Sequence, residues 1–202
     1  MKICYIVGAG DFDTVFTPSE DDLVIAADGG YDSLRKNGIR CDLIIGDMDS
    51  VKEVPRDIPI VRHKVKKDET DMHLSYLEGK KRGYSEFRIY GATGGRSDHT
   101  FANYCLLLYM KNNGDNGVIC TAKDATRVVK NEEITLSGRA GAYVSVFAFG
   151  EDAEGVTIKG LEYETNEVTL KQSFPLGVSN SFIGKEARVT VKSGAVLIIS
   201  QI

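Results

Sequence analysis

Through roughly its first 120 residues the chain alternates short apolar runs with stretches of helical period. Ile3 to Val7, Leu23 to Ala27, Leu43 to Ile45, Pro59 to His63, Phe87 to Tyr90 and Val118 to Cys120 read as strands. Runs such as Leu43, Ile44 and Ile45, apolar without alternation, suit parallel strands covered on both faces. Between them a short helical pattern runs through Leu34 and stops at Asn37-Gly38. A second pattern carries Met72, Leu74, Tyr76 and Leu77 at spacings of three and four and ends at Gly83. A third runs through Phe101, Cys105 and Leu108 to Asn113-Gly114. Strands alternating with helices predict an α/β domain with a Rossmann-like, mostly parallel sheet and flanking helices.

Beyond Gly117 the helical period disappears. Arg127 to Val129, Glu133 to Leu136, Ala142 to Phe149, Val156 to Ile158, Val168 to Leu170, Arg188 to Val191 and Val196 to Ser200 are short strand-like runs punctuated by glycines. Such spacing predicts an antiparallel all-β sandwich or barrel. The chain therefore divides into an α/β domain over 1–124 and a β domain over 125–202. No internal repeat or low-complexity linker interrupts it.

Composition narrows the function classes. With 42% hydrophobic and 27% charged residues the chain is of ordinary globular make-up, and no apolar run approaches the roughly 18 to 20 residues that span a bilayer. The opening KICYIVGAG is strand-like and offers no small-residue cleavage site, so no signal peptide is expected. Cys4, Cys41, Cys105 and Cys120 are scattered without CxxC pairing, which fits buried free thiols in a reducing cytoplasm. A net charge of −4 without a long basic run argues against a nucleic-acid surface.

The candidate chemistry collects at strand ends in the first domain. Cys41 to Ser50, CDLIIGDMDS, ends an apolar run in Gly46 and then Asp47 and Asp49, either a metal hook or an Asx turn satisfying local donors. Leu23 to Ala27 likewise ends in Asp28-Gly29-Gly30. Asp68 and Asp71 flank a helix start, where capping is the simpler account. Four carboxylates from two loops, Asp47, Asp49, Asp68 and Asp71, with no histidine or cysteine between them, form an all-oxygen set suited to Mg²⁺ on a substrate phosphate. Gly91 to His99, GATGGRSDH, leads from a strand into a helix and can cradle an anion on its backbone amides. There Arg96 can fork two phosphate oxygens and Ser97 or Asp98 can cap the helix. His99 is either a phosphate donor or a packed first-turn residue; His63 and His73 are structural. Gly8-Ala9-Gly10-Asp11-Phe12-Asp13 lacks the third glycine of a dinucleotide fingerprint and reads as a βα loop near a ligand. In the β domain only Gly177-Val178-Ser179-Asn180 stands out, and it could be a plain turn.

ADGG at 27–30, GDMDS at 46–50, KDETD at 67–71, GATGGRSDH at 91–99 and SN at 179–180, in this order over nearly the whole chain, resemble the thiamine pyrophosphokinase family. The resemblance implies transfer of the pyrophosphoryl group of ATP to thiamine, giving thiamine diphosphate and AMP. It implies that Asp47, Asp49 and Asp71 hold Mg²⁺ with Asp68 beside them, and that Asp28, Gly29, Lys67, Thr93, Gly94, Gly95, Arg96, Asp98 and His99 border the nucleotide. Asp71, Ser179 and Asn180 would face thiamine, held in a homodimer between the α/β domain of one chain and the β domain of the other. Met48 stands where the family often has phenylalanine. The chain has no tryptophan, so stacking on thiamine would need a residue such as Phe182. Two rival readings are a diphosphokinase for a pterin-type hydroxymethyl heterocycle and a non-catalytic nucleotide-binding module.

Overall fold

The computed structural model describes residues 1–47, 57–62 and 68–202. Two compact units divide the chain: one comprises Met1–Leu106 and Gly114–Thr121, the other Leu107–Asn113 and Ala122–Ile202.

In the first unit the strands are β1 (Cys4–Val7), β2 (Leu23–Ala27), β3 (Leu43–Gly46), β4 (Ile60–Arg62), β5 (Glu86–Tyr90) and β6 (Asn116–Cys120). They run parallel in the order β4-β3-β2-β1-β5-β6. Every residue of β1, β2 and β3 is buried, which accounts for the unalternated apolar runs. The helices are α1 (Gly30–Lys36), α2 (Asp71–Lys81) and α3 (Ser97–Asn112), the last turn of α3 belonging with the second unit. Helix α2 lies close on the sheet because Gly79 has no side chain: a Cβ there would stand 2.8 Å from both Cys4 Sγ and the Phe87 ring. Its axial position is fixed at a buried carboxylate, Asp115, which accepts hydrogen bonds from Tyr76 Oη at 2.7 Å and Lys80 Nζ at 2.5 Å.

The segment after β1 differs from the expectation of a βα loop, since no helix lies between Val7 and Leu23. Parallel neighbours usually need a helix to cover the crossover. Here aromatic rings do so: Phe16 stacks on Tyr5 at 4.3 Å and on Tyr90 at 4.6 Å between centroids, and Phe12 packs beside them.

The second unit is antiparallel. Its strands are β7 (Asp124–Lys130), β8 (Glu133–Ser137), β9 (Tyr143–Ala148), β10 (Ala153–Lys159), β11 (Thr165–Leu170), β12 (Asn180–Ser181), β13 (Glu186–Thr190) and β14 (Ala195–Gln201). Four of its strands run in the order β12-β9-β14-β7, and the other four form a sheet in the order β11-β10-β13-β8. Alternate residues point inward, as in β9 where Val144, Val146 and Ala148 are buried, and they meet Val156, Val189 and Ile198 in one core. Gly177, Val178 and Ser179 form a turn, one of the readings open for that tetrapeptide, and Asn180 begins β12. Of the four cysteines, expected to be buried, only Cys4 is; Cys105 is exposed. Among the described residues no helix is long and apolar enough to cross a membrane.

Candidate active site

The strand order reverses at β1: the chain moves outward from β1 to β4, then returns to β5 on the other side of β1. In open parallel sheets a ligand crevice forms past the carboxyl ends of the strands at such a reversal. A cavity of about 480 Å³ lies there, walled by Gly8 and Gly10 after β1, Asp28 after β2, Gly91 after β5, Asp71 at the start of α2 and Arg96 before α3. The loops after β1 and β5 continue the ladder beyond the strands. Gly8 N–H donates to Tyr90 O, Gly10 N–H to Gly91 O and Asp11 N–H to Thr93 O, each at 2.8 Å. A Cβ on Gly10 would stand 2.3 Å from Thr93 O, and one on Gly91 2.3 Å from Gly8 O, so this approach requires both glycines.

Asp28 occupies the left-handed region at φ 46°, sparsely populated without glycine, and its N–H donates to Ile45 O at 2.8 Å. Its Oδ1 is buried with no hydrogen-bond partner among the described residues. The carboxylates at the opposite strand ends behave differently. Asp22 accepts the Ile3 and Ser19 N–H groups at 2.7 and 2.8 Å, and Asp42 accepts the Val24 N–H at 2.8 Å. Those two hold the strand starts together, whereas Asp28 lies on the cavity lining with its Oδ1 buried and without a hydrogen-bond partner among the described residues, an arrangement that calls for a partner. Gly29, expected beside the nucleotide, is the N-cap of α1, next to Asp28 on the cavity lining.

The cap of α2 is Thr70, whose Oγ1 accepts the His73 N–H at 3.2 Å. Capping therefore explains neither Asp68 nor Asp71, correcting the simpler account. Asp68 is exposed ahead of the helix, and Asp71 is half-buried on the cavity wall. Asp47 follows β3, half-buried and off the wall. Met48, Asp49, His63, Lys66 and Lys67 lie outside the described residues. Among the described residues no three histidine, cysteine, aspartate or glutamate side chains gather into a metal-binding group. Asp28 and Asp71 nevertheless both line the cavity, and carboxylate oxygens are the hard donors that fit Mg²⁺.

Gly94 and Gly95 take φ 80° and 59° at the mouth, and Arg96 and His99 complete that side. The Arg96 fork, expected on phosphate, is closed on Asp98, with Nε donating to Oδ1 at 3.1 Å and Nη2 to Oδ2 at 2.6 Å. These hydrogen bonds hold the Asp98 carboxyl below its ordinary range. Asp98 is the second residue of α3, so the expected N-cap role is also corrected; Oδ1 accepts the adjacent His99 N–H at 2.9 Å. His99 is exposed, which removes its packed alternative. Thr93 is half-buried and offers its carbonyl to Asp11. His73 is half-buried beside Tyr76, and burial pushes its pKa below the usual imidazole value.

Asn103 was not anticipated. It is buried on α3, one turn beyond His99, and its Nδ2 donates to Ala92 O at 2.7 Å, pinning the glycine loop. A lone amide within the apolar stretch from Phe101 to Leu108 is the sequence signal that would have found it. Asp11, against Gly94, was read only as part of a loop near a ligand.

In the second unit Ser179 is exposed at φ 57°, its N–H donating to Ser145 Oγ at 3.1 Å. Asn180 is buried: Oδ1 accepts the Tyr163 and Ser181 N–H groups, both at 2.9 Å, and Nδ2 donates to Tyr163 O at 2.8 Å. Its amide clamps the backbone of Tyr163, a residue 69% exposed. Phe182 is 2% exposed within the core and cannot stack on a ligand, so that expectation is overturned.

Two family models match in sequence. The catalytic domain of thiamin pyrophosphokinase matches residues 16–119, and the vitamin B1 binding domain of thiamin pyrophosphokinase matches residues 129–196. Thiamine pyrophosphokinase of Bacillus subtilis (strain 168) is 26% identical over 187 residues, 89% of this chain and 87% of the relative. Thiamine pyrophosphokinase 2 of Oryza sativa subsp. japonica is 27% identical over 216 residues, 98% of this chain and 76% of the relative. The crystal structure from Bacillus subtilis superposes with a TM-score of 0.89 at 22% identity, covering 100% of this chain and 99% of that one. That from Geobacillus thermodenitrificans gives 0.86 at 26% identity, covering 99% and 97%. These structures share the mixed α/β fold, with a large mostly parallel sheet and a second antiparallel sheet. The matching activity is ATP-dependent thiamine diphosphokinase, and neither a pterin acceptor nor a non-catalytic module is favoured. With a catalytic and a vitamin-binding model matched in order along one polypeptide, the chain belongs to the thiamin pyrophosphokinase family.

Proposed function

We propose that the cavity at the strand reversal binds the triphosphate of ATP and that Asp28 and Asp71 on its lining, together with Asp47 and Asp49, would hold Mg²⁺, with Asp68 beside them. The observation that supports this assignment is the buried Oδ1 of Asp28, without a hydrogen-bond partner among the described residues, in a side chain that lines the same cavity as Asp71. Bound Mg²⁺ would neutralise phosphate charge there. The chain's own groups do the positioning. Glycine-loop amides and the Arg96 guanidinium meet phosphate oxygens, Asn103 fixes the loop, and Lys67 adds positive charge. The thiamine hydroxyl oxygen bonds to the β-phosphorus, the bond from that phosphorus to the α-bridging oxygen breaks, AMP leaves and the hydroxyl proton is lost. AMP release that depends on thiamine tests the reading; release without thiamine, or with a pterin alcohol alone, would reject it.

Arg96→Lys keeps the charge but loses the planar two-donor fork. We expect kcat/KM for ATP to fall about tenfold, on the order of 1.4 kcal/mol. Wild-type kinetics in this variant would mean that Arg96 serves only Asp98.

The reading extends to the remaining architecture. The parallel unit is Rossmann-like and catalytic over about 1–124, and the antiparallel unit over about 125–202 is a sandwich that binds thiamine and dimerises, in a cytoplasmic enzyme whose thiols stay free. Support for an interface comes from Phe174, Leu176, Val178 and Ile183, each more than half exposed. Ser179 is the thiamine-facing member of its pair, and Asn180 positions Tyr163. If each site draws on two chains, mixing equal amounts of Asp71→Asn and Asn180→Ser chains makes half the dimers mixed, each with one intact site of two. About a quarter of wild-type activity should then return. Mixed dimers shown by differential tags without regained activity would place each site within one chain.

A further inference from the structure

Within the nucleotide reading above, on which this inference rests, carboxylates of the chain already sit against residues that line the cavity. The Arg96 fork holds both oxygens of Asp98. On the neighbouring glycine, the Asp11 carboxylate takes the place a side chain would have: a Cβ on Gly94 would stand 2.2 Å from Asp11 Oδ2. The Asp11 backbone is tied to the same loop, its N–H donating to Thr93 O at 2.8 Å. Deeper in the cavity stand Asp28 and Asp71. Facing these four carboxylates, the wall among the described residues carries one permanent cation, Arg96, and one imidazole, His99. A cradle built of glycine amides is generic for anions. This one carries its own.

We propose that Asp11 and Asp98 are specificity residues that hold the phosphate cradle against bare anions, so that it admits a polyphosphate whose charge has been reduced by a divalent cation. A free triphosphate must displace Asp98 from Arg96 and approach Asp11 with like charge, whereas the cation complex meets less repulsion and gains the deeper carboxylates as partners. The residues act by excluding the wrong ligand, a specificity device distinct from attraction for the right one. Both side chains are exposed, so their replacement by the similarly shaped asparagine leaves the fold intact.

The test is equilibrium binding by calorimetry, with ATP and with inorganic tripolyphosphate, each in EDTA and in Mg²⁺. Wild type, Asp11→Asn, Asp98→Asn and the double variant are compared. Each single variant should bind both ligands in EDTA about two- to fivefold more tightly, the scale of an exposed ion pair. The double variant should gain about tenfold if the two effects add, and affinity in Mg²⁺ should change much less. Unchanged or weakened binding in EDTA for both single variants, with melting temperatures at the wild-type value, would overturn the proposal. Failure of the wild type to bind ATP in Mg²⁺ would instead count against the nucleotide reading itself. Tripolyphosphate, which needs no adenine contact, still reports on the two carboxylates in that case.

Discussion

Asp71→Asn is expected to lower kcat by about a hundredfold or more at saturating Mg²⁺, a loss on the order of 2.7 kcal/mol of transition-state stabilisation. The substitution keeps size and shape and removes only the charge. Two observations separate this loss from damage to the fold. Thr70, not Asp71, caps α2 through the His73 N–H, so the helix start does not depend on the carboxylate. The body of α2 is held by Tyr76 and Lys80 on Asp115, further along the helix. The melting temperature should therefore stay within a few degrees of wild type while turnover collapses. Turnover within threefold of wild type, measured as thiamine-dependent AMP release, would return Asp71 to an ordinary first-turn residue that favours the helix dipole.

The largest effect on stability is expected from Gly30→Ala. Gly30 opens α1 where the helix abuts the end of β1: a Cβ there would stand 1.9 Å from Val7 O and 2.6 Å from Val7 C, both backbone atoms in the buried centre of the sheet. Neither can yield without breaking the register of β1 with β2 and β5. Overpacking of this kind costs about 3 kcal/mol or more, which for a chain of this size lowers Tm by roughly 6 to 12 °C. Gly184→Ala is the control, since nothing lies within 4 Å of its Cβ position. A Gly30→Ala protein that melts with the control would mean that α1 shifts freely, and the packing account of the ADGG turn would fall.

What the sequence determined by itself is local. Buried parallel strands and an alternating antiparallel unit each carry a period readable within a few residues, so nearly all elements and the change of architecture near residue 120 were legible, with boundaries off by one to three positions. The five motifs, read together, were enough to name the family. Glycine and aspartate at strand ends marked the site, because a left-handed turn and a close backbone approach select those residue types wherever they occur.

Tertiary structure alone decided which of the marked residues face one another. Asp22, Asp28 and Asp42 all flank apolar strands and look alike in sequence, yet two accept backbone amides at the amino edge and one is left with a buried oxygen that has no partner among the described residues. Capping by Thr70 and the closure of Arg96 on Asp98 were choices between neighbours with similar local chemistry. The aromatic cover between β1 and β2, the pinning of the glycine loop by Asn103 and the burial of Phe182 depend on partners 11 or more residues away. Local pattern cannot encode those choices. They are set by where the sheet reverses and by which polar groups, once buried, find a partner within hydrogen-bonding reach.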